Sequence, residues 1–213
     1  MKTRILYLLA AAATLTALAL PLWGFAMSAP QYPDETLGLR IERGGIAGDV
    51  QEIETLQHFI GVRFPTELPE LQWASWAIGV MAILLLVAAF SGSGRVGRGY
   101  RALCAAVFAL FLAASAAVVQ VRLYEVGHDR DPNAPIRALK DFTPPLVGPV
   151  KVGNFTVWSF PHAGALLLLA GAVLSVAALR STPVTTHDGD DARCGAGDRP
   201  HGCQPLQQRR NAA

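Results

Sequence analysis

The sequence predicts an all-α membrane protein with four transmembrane helices and two ordered outer segments. Hydrophobic residues make up 52% of the 213 residues, charged residues make up only 16%, and the mean hydropathy is +0.33. Ordinary soluble domains carry roughly 25% charged residues. The formal net charge of +2 is too small to indicate a nucleic-acid partner. We therefore expect the partners to be the lipid bilayer and other membrane or periplasmic proteins.

Four long apolar runs, none of which contains a charged residue, form the predicted helices. A helix needs roughly 20 residues to cross a bilayer core about 30 Å thick. The first run, from Ile5 to Met27, is longer than the roughly 7–15 apolar residues of a signal peptide, which favours a retained signal anchor. The predicted segments are a first transmembrane helix (1–27), an outer segment (28–72), a second helix (73–90), an inner loop (91–101), a third helix (102–121), an outer loop (122–156), a fourth helix (157–179) and a disordered cytoplasmic tail (180–213).

Basic residues near the ends of the apolar runs predict the orientation. Lys2 and Arg4 precede the first run, and Arg95, Arg98 and Arg101 lie in the inner loop without any acid. Lysine and arginine close to helix ends stay in the cytoplasm. We therefore predict a multi-pass protein with both termini cytoplasmic and with the two outer segments on the opposite side.

The first outer segment predicts a short strand followed by an amphipathic helix. Leu37, Leu39 and Ile41 alternate with polar residues at the period of a strand. The stretch from Asp49 to Gly61 combines a capping-box start with apolar residues on one helical face. The second outer segment is rich in Pro, Gly, Asp and Asn, which predicts an ordered loop built from turns.

Three histidines on the predicted outer side are the candidate metal ligands. They are His58, His128 and His162, and neutral imidazole is a common ligand of copper and zinc. Glu54 and Asp129 lie close to the first two in sequence and could orient their rings by hydrogen bonds. The alternative is that these are loop or interfacial histidines bonded to the backbone. Both interpretations stay open at this point.

No catalytic arrangement is recognisable in the sequence. Ser159 and Ser175 have no identifiable base, and the Cys-x-x-Cys-His motif of attached haem does not occur. We therefore predict no catalytic residues and expect that the protein is not an enzyme. Copper is the cofactor that the histidines suggest, and the alternative is no cofactor.

Four motifs resemble a known family. They are Asp49-Val-x-Glu-Ile-x-x-Leu-x-His58-x-Ile-Gly61, Gly127-His128-Asp-x-Asp-Pro-x-Ala-x-Ile136, Phe142-Thr-Pro-Pro145 and Asn154-Phe155. Together they look like a little-characterised family of small bacterial four-helix membrane proteins, associated with the maturation of copper enzymes, notably nitrous oxide reductase. The resemblance covers about residues 31–165. It implies an accessory role on the periplasmic side of the bacterial inner membrane.

The functional hypothesis is therefore an inner-membrane accessory or assembly protein that handles copper on the periplasmic side. Val62 stands where the resemblance implies a methionine, which disfavours a copper(I) site because copper(I) prefers soft sulfur ligands. One alternative is a scaffold subunit of a larger membrane complex without any metal. Another is a transporter of small substrates or a membrane enzyme.

Overall fold

The described residues form four long helices and a five-stranded antiparallel sheet. The computed structural model describes residues 1–29, 32–53, 55, 69–92, 94–129 and 141–181. The helices are α1 (Lys2–Ala17), α2 (Pro69–Phe90), α3 (Arg95–His128) and α4 (Ala163–Arg180), and residues 50–53 and 55 are also helical. The strands are β1 (Trp23–Ala29), β2 (Tyr32–Glu42), β3 (Gly45–Gly48), β4 (Gly148–Val152) and β5 (Phe155–Pro161).

The prediction of an all-α protein with four transmembrane helices is wrong, because the chain is mixed α/β. The first apolar run divides into α1, which ends at Ala17, and β1, which begins at Trp23. Pro21 explains the break, since it lacks the N–H that would bond to the Ala17 carbonyl and its ring crowds that carbonyl. At the other end, residues 157–161 belong to β5, and the fourth helix begins only at Ala163.

Three helices in the described part of the chain are long and apolar enough to cross a membrane: Glu70–Phe90, Arg95–His128 and Ala163–Arg180. The helix α1 has only 16 residues and is therefore about 24 Å long, whereas a bilayer core is about 30 Å thick. The helix α3 extends past both ends of the predicted run 102–121, so the predicted inner loop shortens to the residues between Phe90 and Arg95.

The sheet has the strand order β3-β2-β1-β5-β4, with β1 in the middle. Phe25 on β1 pairs with Leu39 on β2 and with Ser159 on β5, so these three side chains share one face. Leu39 and Ser159 are buried, which makes this the covered face. The segment 122–156, which was predicted to be a loop built from turns, contains β4 and the start of β5. Val150 on β4 pairs with Val157 on β5, and alternate residues of these two strands add to the covered face.

The helices α2 and α4 pack against α1, which contributes fully buried side chains. Tyr7 and Ala10 are fully inaccessible, as is Phe108 on α3. On α4, Gly171 lies so close to α1 that an added Cβ would stand 2.8 Å from the Thr14 hydroxyl oxygen. Only glycine permits this contact, which brings the antiparallel helices α1 and α4 together along their length.

The helices have two chemically different ends. At one end, which we call the sheet end, α1 leads into β1 and β5 leads into α4. At the other, α1 begins, α4 ends, α2 is followed by α3, and Arg101 near the start of α3 stands over the Tyr7 ring. We call this the basic end, and its cationic residues are Lys2, Arg4, Arg95, Arg98, Arg101 and Arg180.

Candidate functional site

The structure places two of the three predicted metal ligands at helix ends. His128 is the last residue of α3, where its Nδ1 lies 3.0 Å from the Tyr124 carbonyl oxygen and its ring stacks on the Tyr124 ring at 3.9 Å. His162 is the N-cap of α4, and its Nδ1 accepts a hydrogen bond of 2.9 Å from the Ala163 N–H. Each imidazole therefore has a local structural contact.

The remaining predicted ligands do not complete a metal site among the described residues. His58 and Glu54 lie outside the residues that the structure describes. Asp129 is the C-cap of α3, and its backbone N–H donates to the Glu125 carbonyl at 2.7 Å. Within the described ranges, no group of three His, Cys, Asp or Glu side chains is arranged to hold a metal ion. The copper site stays a prediction.

An ion-pair network joins α2 and α3 at the sheet end. The Arg122 guanidinium donates through Nε to Glu70 Oε1 at 3.0 Å and through Nη1 to Glu125 Oε2 at 2.8 Å, and its Nη2 also bonds to Glu70. The Arg122 and Glu70 side chains are 41% and 37% exposed. The sequence contains a signal for this pair, because Glu70 and Arg122 flank two apolar runs that must be antiparallel neighbours.

Residues 141–146 contact both the end of α3 and the sheet. Gln120 on α3 donates through Nε2 to the Pro144 carbonyl at 3.3 Å. Gly127 lies directly beneath the Phe142 carbonyl, where an added Cβ would collide with the backbone. On the sheet side, the Ser159 hydroxyl donates to the Leu146 carbonyl and accepts from Trp23 Nε1, both at 2.8 Å. These contacts hold the segment against the covered face of the sheet.

A buried arginine organises the basic end. Arg101 is only 4% exposed, and it donates through Nε to the Ala88 carbonyl at 3.2 Å and through Nη2 to the Ser91 carbonyl at 2.6 Å. Its guanidinium also stands 5.7 Å from the centre of the Tyr7 ring. The last carbonyls of a helix lack partners within that helix and attract a positive charge. Arg101 therefore caps α2 from the neighbouring helix.

Sequence reasoning treated Arg101 only as a residue of the inner loop and missed this contact. The available signal was its position between Tyr100 and Leu103, directly before an uninterrupted apolar run. An arginine beside such a run is close enough to the end of the preceding antiparallel helix to reach its free carbonyls.

The uncovered face of the sheet carries large aromatic side chains. Trp158 and Phe160 on β5 share this face and are 51% and 38% exposed. Gly24 on β1 pairs with Phe160 on β5 and with Arg40 on the neighbouring strand β2. A glycine and an arginine therefore lie beside the aromatic pair on this face. This face presents an open surface at the sheet end.

The outward surfaces of the helices are also apolar. Leu110 on α3 is 68% exposed, Val173 on α4 is 66% exposed and Ile83 on α2 is 60% exposed. Other exposed apolar side chains of α2, α3 and α4 are Trp73, Trp76, Val80, Val87, Phe90, Leu103, Val107, Val118, Val121, Leu166, Leu169 and Val176.

Comparisons with known proteins identified no relative: no protein-family model, curated protein or solved structure matches this chain. The resemblance to proteins of copper-enzyme maturation therefore stays a prediction.

Proposed function

We propose that this protein is an integral protein of a bacterial inner membrane and that it acts as an accessory or assembly subunit. The helices anchor it in the bilayer, and the antiparallel sheet faces a partner protein on the periplasmic side. Copper is not included in the proposal, because His128 and His162 each serve a helix end.

The exposed apolar side chains of α2, α3 and α4 carry the membrane part of the proposal. Transfer of one large apolar side chain out of water is worth about 1.5–3 kcal/mol, and soluble monomers rarely expose large contiguous apolar patches. Leu110, Val173 and Ile83 are all at least 60% exposed on helices that are long enough to cross a membrane. Lipid is the environment that stabilises this surface.

Charge supports the proposed orientation. The described residues of the basic end include six Lys and Arg side chains and no Asp or Glu, whereas Glu70, Glu125 and Asp129 lie at the sheet end. Basic residues beside membrane helices remain in the cytoplasm. The basic end is therefore assigned to the cytoplasm and the sheet to the periplasm.

The interior of the helices favours an accessory role over transport. Transport paths through a bilayer usually contain ionisable side chains that face the interior. In the described helices, Thr14 and Ser175 donate to carbonyls of their own helices, Ala10 and Ala172, at 2.8 and 2.7 Å. Arg101 is bonded to the end of α2. These three polar groups have structural partners, and the buried Tyr7 hydroxyl, which has no hydrogen-bond partner among the described residues, is not a charged group.

Accessibility labelling tests the membrane location and the orientation. Single cysteines replace Gly44, which is exposed at the turn between β2 and β3, and Val96, which is 88% exposed at the basic end. The background has Cys104, Cys194 and Cys203 replaced by alanine. In spheroplasts, a membrane-impermeant maleimide should label Gly44→Cys and should label Val96→Cys only after lysis. The reverse result, or release of the protein by alkaline carbonate, would contradict the proposal.

Site-specific photo-crosslinking tests the accessory role. A photoreactive phenylalanine at Trp158 should give one discrete adduct in membranes, because this side chain is half exposed on the uncovered face of the sheet. The matched position is Asn154, which is exposed at the turn between β4 and β5. The partner identified at position 158 should assemble less efficiently in cells that lack the protein. Equal crosslinking at both positions, or normal assembly of that partner, would contradict the accessory role.

A further inference from the structure

The basic end holds several cations that have no counter-ion among the described residues. Lys2, Arg4, Arg95 and Arg180 are exposed, Arg98 is half-buried, and none of the five forms an ion pair within the described part of the chain. This contrasts with Arg122 at the sheet end, which bonds to two carboxylates.

Helix geometry places two of these cations, Arg4 and Arg98, at a similar height along the helix axes. Both α1 and α3 begin at the basic end and run towards the sheet end, and Arg101 stands over the Tyr7 ring. Arg4 precedes Tyr7 by three residues and Arg98 precedes Arg101 by three residues. Three residues correspond to about 4.5 Å along a helix, and residues three apart share a helix face. Arg4 and Arg98 therefore lie about one turn closer to the basic end than Tyr7 and Arg101. Each shares a helix face with the residue three positions later, and Tyr7 and Arg101 contact each other.

The buried contact between Arg101 and the end of α2 lies next to these two arginines and orders the start of α3. Arg101 uses Nε and Nη2 to cap the Ala88 and Ser91 carbonyls, so its side chain is held in place. Burial also prevents it from serving as an exposed ligand. Arg4, which is exposed, and Arg98, which is half-buried, are the ones that can reach an anion at the membrane surface.

We infer that Arg4 and Arg98 bind the phosphate of an anionic phospholipid in the cytoplasmic leaflet. The inference rests on the proposed membrane location and adds a ligand to it. Guanidinium groups form bidentate hydrogen bonds with phosphate oxygens, and basic sites between membrane helices on the cytoplasmic side bind anionic headgroups.

Lipid titration of the purified full-length protein tests this site. Native mass spectrometry in detergent follows the binding of short-chain phosphatidylglycerol, short-chain phosphatidylcholine and inorganic phosphate. The wild type should prefer phosphatidylglycerol. Arg4→Gln combined with Arg98→Gln should weaken its binding by about fivefold for each arginine removed. The matched control, Arg40→Gln with Arg43→Gln, removes two exposed cations from the sheet end and should bind like the wild type.

Additional variants and controls distinguish failure of the lipid site from failure of the proposed membrane location. Arg4→Lys with Arg98→Lys should recover much of the preference, and circular dichroism should show that every variant retains its helices. Equal binding of the two lipids, or unchanged binding in the glutamine variant, would overturn the lipid site. Inorganic phosphate that binds as tightly as phosphatidylglycerol would show that the ligand is a free anion. Release of the protein by carbonate would instead overturn the proposed membrane location.

Discussion

Arg101 and Arg122 lie on the same helix, yet they perform different tasks at its two ends. Arg101 is buried and bonds to backbone carbonyls of α2, whereas Arg122 is 41% exposed and bonds to the carboxylates of Glu70 and Glu125. Water competes for the second set of bonds and not for the first. We therefore expect the buried arginine to contribute more to the free energy of unfolding than the exposed one. Four predictions rank the contacts at the two ends of the helices by this quantity.

Replacement of Arg101 should have the largest effect. Arg101→Met fills similar space but leaves the Ser91 carbonyl without this donor, and the Ala88 carbonyl keeps only the bond from the Ser91 hydroxyl. This should lower the free energy of unfolding by about 3 kcal/mol. Arg101→Lys should recover part of the loss, because its ammonium can bond to one of the carbonyls. Denaturant titration in detergent micelles, followed by circular dichroism, measures both variants. A loss no greater than that of Arg122→Gln would disprove the comparison.

The close contact beneath Phe142 should be the next most sensitive position, and it lies at the sheet end. Gly127→Ala places a Cβ against the Phe142 backbone carbonyl, which cannot move as a side-chain tip can. Overpacking of this kind costs about 1–3 kcal/mol. The control Gly79→Ala is also in a helix but meets open space, so it should be neutral or slightly stabilising. Similar losses in both variants would show that the contact is not tight.

His162 permits a test that separates its capping role from a metal role. His162→Ala removes the acceptor of the Ala163 N–H and should cost about 1 kcal/mol, the usual value of a helix N-cap. His162→Asn retains an acceptor and should stay within a few tenths of a kcal/mol of the wild type. Elemental analysis of the same samples gives copper and zinc contents. If His162→Asn loses a metal that the wild type contains, His162 is a metal ligand as well as a cap.

The exposed ion pair should contribute least. Arg122→Gln is expected to lower the free energy of unfolding by about 0.5 kcal/mol or less, because exposed salt bridges are weak. Its effect should shrink further in high salt, since mobile ions screen exposed charges. The effect of Arg101→Met should not depend on salt. A large loss for Arg122→Gln that persists in high salt would show that the network at the sheet end is shielded from water.

The apolar helices were the predictable part of the fold, because length and absence of charge are local properties. The period-two residues Leu37, Leu39 and Ile41 also belong to β2. The division of the first run was not predicted, although Pro21 marks its position. Apolar residues such as Phe25 and Val157 fit a helix and a buried strand equally well. Their assignment to strands depends on pairing between β1 and β5, which are distant in sequence.

The candidate site was less predictable for a similar reason. His128 and His162 were selected by residue type, but the roles of both rings depend on the helix ends beside them. Asp49 was expected to begin a helix, and helical residues do follow it from Val50, with the Ile53 N–H donating to the Asp49 carbonyl at 3.2 Å. Its carboxylate, however, accepts from the Gly38 N–H at 2.8 Å and not from the helix. Arg101 acts through carbonyls, which every residue possesses, so no side-chain motif identifies its partners.

The central position of β1 has a consequence for the order of events during biosynthesis. Residues 23–29 leave the ribosome early, but one edge of this strand stays unpaired until β5, which ends at Pro161, has been made. At about 5–20 residues per second, that interval lasts on the order of ten seconds. On the proposed membrane location, α2 and α3 enter the bilayer during the same interval. A nascent chain with an open strand edge is exposed to misassociation and proteolysis. Chains terminated before Phe155 would therefore retain this open edge permanently and be natural targets of cellular quality control.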